Sequence, residues 1–134
     1  MQHLHSAALT RAANTNTNTT SNHAQRRDGQ YRTTDRVLQI LLQGDLYRLR
    51  VESVASQLGM SPTTLRRRLR MDHTHYQFLL DRARQYRCEQ ALRTARLPGK
   101  CLADELGYLE VNSFYRAFRR WTGVGFSDWK AQRL

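Results

Sequence analysis

The 134-residue chain suits one domain of ordinary size with a tail, and its 22 Lys+Arg against 11 Asp+Glu leave a formal net charge of +11. A surplus of that size points to a polyanionic partner, either nucleic acid or an anionic membrane surface. No apolar run approaches the ~20 residues that cross a bilayer, so no membrane-spanning helix is expected.

Lys100 and Lys130 are the only lysines; every other basic residue is arginine. Arginine's planar fork makes two parallel hydrogen bonds to guanine edges and phosphates. A GC-rich coding sequence enriches arginine too, so charge names a class of partner and no mechanism. The two cysteines, Cys88 and Cys101, lack CxxC spacing, and no secretory pattern precedes them. They read as small buried apolar residues of a protein in a reducing cytoplasm.

Residues 1–30 hold few bulky apolar side chains and contain the tract Asn14-Thr-Asn-Thr-Asn-Thr-Thr-Ser-Asn22. Such a stretch buries too little surface to offset its ordering entropy, so a disordered tail or linker is expected, with Arg26 and Arg27 as its solvated charges. From Tyr31 the periodicity turns helical. Asp35 is placed as the cap of a first helix with Val37, Leu38, Leu41 and Leu42 on one face, ended by Gly44. Val51, Val54, Ala55 and Leu58 give a short second helix stopped at Gly59. Ser61 and Pro62 then open a third, a capping hydroxyl followed by a ring that fixes φ where no amide partner is needed. A long helix over about 75–95 spaces Phe78, Leu79, Ala83, Tyr86, Ala91 and Leu92 for burial, and Pro98 and Gly99 end it. Leu102, Ala103 and Leu106 form another short helix ended by Gly107. A further helix from Val111 to Trp121 turns Phe114, Ala117, Phe118 and Trp121 inward, and a last one carries Trp129. No alternating strand pattern of useful length occurs. The expected fold is all-α: a seven-helix bundle of two helix-turn-helix subdomains, about 33–73 and 97–134, joined by the long helix.

The two units repeat. Ala55 and Gly59 recur as Ala103 and Gly107 at a shift of 48, whereas Leu65, Arg67 and Leu69 recur as Phe114, Arg116 and Phe118 at a shift of 49. The second turn is therefore one residue longer. A small residue lets two helices cross closely, a glycine accepts positive φ, and an apolar pair at i, i+4 pins the second helix. This is the helix-turn-helix plan, whose second helix lies in the major groove. At about 100° per residue, inward Leu65 and Leu69 turn Thr63, Arg67 and Arg70 outward, with Arg66 on the flank. Inward Phe114 and Phe118 turn Asn112, Arg116, Arg119 and Arg120 outward. Arginine to guanine and asparagine to adenine are the strongest direct-readout pairings. Arg68, Arg119 and Arg120 are assigned to phosphates, together with Ser61, Arg70 and Ser113. A long helix of some 18–20 residues spans roughly 27–30 Å. That suits a monomer reading two major-groove faces about 34 Å apart.

The residues from about Tyr31 to Leu134 resemble the C-terminal DNA-binding domain of the AraC/XylS family of bacterial transcription regulators. The first motif stands as Val54-Ala55, then Leu58-Gly59-Met60-Ser61-Pro62-Thr63-Thr64-Leu65-Arg66-Arg67-Arg68-Leu69. The second stands as Leu102-Ala103, Leu106-Gly107-Tyr108, then Ser113-Phe114-Tyr115-Arg116-Ala117-Phe118-Arg119-Arg120-Trp121-Thr122-Gly123. The resemblance implies a seven-helix domain that binds double-stranded promoter DNA, often as an activator that touches RNA polymerase. Carried over position by position, it implies base contacts from Thr63, Arg66 and Arg67 and from Val111, Asn112 and Arg116. The chain departs from the family before the last helix, where Gly123-Val124-Gly125-Phe126 lacks the usual hydroxyl and proline, so Ser127 is expected to cap one residue later. Many members carry an effector or dimerisation domain upstream. A resemblance of this extent fits both a stand-alone two-unit regulator and the tail of a longer one.

Other classes fit less well. No phosphate loop, nucleophile elbow or metal-ligand cluster is present, so neither an enzyme nor a bound cofactor is expected. His73 and His75, two apart, diverge on a helix and read as a solvated pair. A pure protein-interaction module seldom needs so basic a face. Single-stranded RNA binding wants exposed aromatics, and membrane-surface binding wants an open apolar face.

Overall fold

The structure, a computed structural model, describes residues 32–133. The expected disorder of residues 1–30, with Arg26 and Arg27, lies outside them. Seven helices follow one another among the described residues: α1 Thr33–Gln43, α2 Val51–Gln57, α3 Pro62–Met71, α4 Tyr76–Thr94, α5 Gly99–Glu105, α6 Val111–Thr122 and α7 Phe126–Arg133. The described residues contain no strand. None of the helices is long and apolar enough to cross a membrane.

Two apolar clusters hold the helices together. The first gathers Val37, Leu41, Leu46, Val54, Ala55, Leu65 and Leu69 with Tyr76, Leu79, Leu80 and Ala83 of α4. The second gathers Cys88 of α4 with Leu102, Ala103, Leu106, Tyr108, Phe114, Ala117, Phe118, Trp121 and Phe126. The inward residues read from periodicity in α3 and α6 are all buried. On α4 the reading was less complete. Phe78 is 47% exposed, with the Arg82 guanidinium over its ring, while Tyr76, Leu80, Gln85 and Cys88 are buried instead. A helix that touches two cores on different sides has no single apolar stripe.

The helix ends correct two further expectations, the caps placed at Asp35 and Ser127. Helix α1 begins at Thr33, so Asp35 lies in its first turn rather than at its cap. The acceptor for that end comes from α3's C-cap, where the Asp72 carboxylate takes hydrogen bonds from the Thr34 hydroxyl at 2.7 Å and its amide at 3.4 Å. His73 and His75 are both exposed, as a solvated pair should be, and His75 has a further role: its Nδ1 accepts the Phe78 amide at 3.3 Å and caps α4. Helix α7 starts at Phe126, with Ser127 already inside it. The Thr122 hydroxyl compensates by donating to the Phe118 carbonyl at 2.9 Å and accepting the Val124 amide at 3.2 Å, which holds the entering loop. Phe126 then anchors the helix among Phe114, Phe118 and Trp129, edge-on to Phe118 at 5.1 Å.

Cys88 is buried as expected, whereas Cys101, against expectation, is exposed. Burial pushes the Cys88 thiol up to about 12. At pH 8 the folded protein is therefore expected to release one equivalent of chromophore rapidly from an aromatic disulfide reagent, and a second only on unfolding. Two rapid equivalents would mean that the second core opens freely.

Candidate nucleic-acid interface

Each helix-turn-helix unit is built by the same backbone device. After α2, the Met60 amide reaches back to the Ala55 carbonyl at 3.0 Å and Gly59 to Ser56 at 3.0 Å; after α5, Tyr108 reaches Ala103 at 2.9 Å and Gly107 reaches Asp104 at 3.1 Å. These are paired C-terminal capping bonds around a left-handed residue, and Gly59 and Gly107 have φ of +72° and +83°. Ala55 and Ala103, both buried, let the paired helices approach. The second turn keeps one extra residue, Leu109, which is 79% exposed.

Beyond the turns, α3 and α6 present matched positions. Counted from Pro62 and Val111, the first residues of the two helices, Thr63 stands where Asn112 does, Arg66 where Tyr115 does, Arg67 where Arg116 does and Arg70 where Arg119 does. The residues expected to meet DNA all lie on these two helices or at the α3 cap. Thr63, Arg66, Arg67, Arg68, Arg70, Asn112, Arg116, Arg119, Arg120 and Ser61 are exposed, and Val111 and Ser113 are half-buried. Helix α3 contains four arginines and no acid. The surface is open, positively charged and carried on rigid helices, which suits a groove better than a small molecule.

Several side chains have internal partners as well. Ser61 Oγ accepts the Thr64 amide at 3.1 Å and caps α3. Val111 packs against the second core. Arg116 Nη2 donates to Ser113 Oγ at 3.4 Å, a weak bond that leaves the guanidinium exposed. Arg120 is paired with Asp81 of α4, whose carboxylate also accepts the Trp121 indole N–H at 3.2 Å. Asp81 thereby fixes the end of α6 to the long helix.

Residues missed by periodicity lie behind the interface. Arg84 donates from Nε to the Leu106 carbonyl at 2.7 Å and from Nη2 to the Gly107 carbonyl at 3.1 Å. Its guanidinium also sits 4.1 Å from the centroid of the Tyr108 ring, whose buried phenol is pushed up to about 12. Arg87 donates from Nη1 to the Leu41 carbonyl at 2.8 Å and the Gly44 carbonyl at 2.7 Å. Both satisfy carbonyls at helix ends, where a cation is favoured. Their only signal in the sequence is an arginine pair three apart on a helix that faces two glycine-ended turns.

The family profile described as Helix-turn-helix domain matches residues 54–132. An uncharacterised HTH-type transcriptional regulator of Mycobacterium tuberculosis is 42% identical over 76 residues, covering 57% of this chain and 22% of that protein. The chain thus spans under a quarter of that relative's length. Among solved structures, a DNA-binding transcriptional dual regulator from Escherichia coli K-12 superposes with a TM-score of 0.69 at 27% identity, covering 78% of this chain and 95% of that one. The C-terminal domain of AraT, a response regulator from Geobacillus stearothermophilus, does so with a TM-score of 0.65 at 26% identity, covering 76% and 86%. The duplicated turn, the family match and these likenesses agree, and the chain belongs to the AraC-type helix-turn-helix family of transcription regulators.

Proposed function

We propose that this chain binds promoter DNA sequence-specifically as a monomer, laying α3 and α6 in successive major-groove segments, and activates transcription in the bacterial cytoplasm through contact with RNA polymerase. The observation that carries the DNA reading is the repeated turn, which presents an arginine-bearing helix twice from one basic chain. In this reading the subdomains run over about 33–73 and 97–134, with residues 75–95 as the linker. Thr63, Arg66, Arg67, Val111, Asn112 and Arg116 meet base edges. Ser61, Arg68, Arg70, Ser113, Arg119 and Arg120 meet phosphates. Helix α4, at 19 residues, is about 28 Å long, in keeping with two faces about one helical turn apart.

The test is binding to a promoter fragment against random duplex over a salt series. Affinity for both is expected to fall steeply with salt, with a specificity ratio of about 10³ or more that survives it. Equal affinity for all duplexes would leave only a nonspecific polycation and end the regulator reading.

A further inference from the structure

We propose that Arg84 and Arg87 are positioning residues that set the spacing between the two DNA half-sites this protein accepts. The inference rests on the bipartite DNA reading above. Three apart on α4, the two guanidiniums reach in different directions. Arg87 bonds the carbonyls of Leu41 and Gly44 at the end of α1, and Arg84 those of Leu106 and Gly107 at the end of α5. Each contact is with main chain, so it fixes the backbone rather than a mobile side chain. Each is also charge-assisted and part-buried, where such bonds hold geometry best.

The two carbonyl pairs are brought to one place. A Cβ placed on Gly107 would lie 2.6 Å from the Leu46 carbonyl oxygen, so the α5–α6 turn rests directly on the α1–α2 loop. Arg84 holds one side of that junction and Arg87 the other. Helix α1 packs on α3, and α5 on α6. Fixing the ends of α1 and α5 therefore fixes the separation and relative turn of the two recognition helices.

A duplex advances about 3.4 Å and turns about 34° per base pair. A rigid pair of helices must then reject a site altered by a single pair, whereas a pair hinged at α4 tolerates it.

The experiment uses the full chain and a bipartite site selected from a randomised duplex library. Variants of that site carry one base pair added or removed between the halves, and a control duplex carries a single half-site. For the parent protein, one added or removed pair is expected to weaken binding about tenfold or more. For Arg84→Ala and Arg87→Ala that penalty is expected to fall below about threefold, with affinity for the single half-site within twofold of the parent. Arg84→Lys, which keeps the charge but not the fork, is expected to fall between, and it serves if the alanine variant loses helicity.

An unchanged spacing penalty in folded variants would overturn the proposal. So would a loss of single-half-site binding as large as the loss on the whole site, since that marks general damage. A library that yields no bipartite site would remove the DNA reading itself, whereas a bipartite site with unaltered spacing dependence would remove only this proposal.

Discussion

Replacing Gly107 by Ala is expected to destabilise the protein by about 2–5 kcal/mol, against about 1–2 kcal/mol for the same change at Gly59. Both glycines hold left-handed φ, which costs an L-residue roughly 1–2 kcal/mol. They differ in what surrounds them. A Cβ at Gly59 meets nothing within 4 Å, whereas one at Gly107 meets the backbone of Leu46 at 2.6 Å and 2.8 Å. Main chain cannot swing aside as a flexible side chain can, so overpacking adds roughly 1–3 kcal/mol there. A domain of this size has about 5–15 kcal/mol in total, and the Gly107 variant approaches that limit. Denaturant midpoints at constant slope measure both changes. Equal shifts would mean that the turn's contact with the α1–α2 loop is dispensable.

The second large effect concerns DNA. Arg116→Ala is expected to lower affinity for the selected site about 10- to 100-fold, corresponding to roughly 1–3 kcal/mol, with little change on random duplex. Arg67→Ala, at the matching position of α3, is expected to act likewise at the other half-site. Arg120→Ala is expected to weaken all duplexes alike and to reduce the salt slope, as the loss of the phosphate contact proposed for it would do. Its pairing with Asp81 adds a small structural part, since an exposed ion pair is worth about 0–1 kcal/mol. Competition binding with single-base-pair variants of the site separates the two behaviours. If Arg116→Ala and Arg120→Ala lose the same factor on every duplex, the division between base-reading and phosphate-binding arginines is wrong.

Local signals carried much of the fold. Ser61-Pro62, the glycines at 59 and 107, and the apolar pairs 65/69 and 114/118 each act over one turn of chain, and the structure places them as expected. Where partners come from far along the chain, periodicity had nothing to read. The Asp72 carboxylate serves Thr34 across 38 residues, and Arg87 serves Leu41 across 46. His73 is a different case: it ends α3 at φ +62°, where glycine is usual, and its neighbours gave no cue. At the interface, helical geometry was enough to put Thr63, Arg67, Asn112 and Arg116 outward. It could not separate arginines that face solvent from Arg84 and Arg87, which face carbonyls, because all of them are polar positions to a periodicity argument.

The arginine pair on α4 also bears on how far the duplication makes the halves interchangeable. Arg84 comes first in the chain yet serves the second unit, and Arg87 comes later yet serves the first. The two sets of obligations overlap along one helical turn. No cut within α4 leaves each half with its own contacts, so the repeat, however symmetric its turns, is not a pair of exchangeable cassettes.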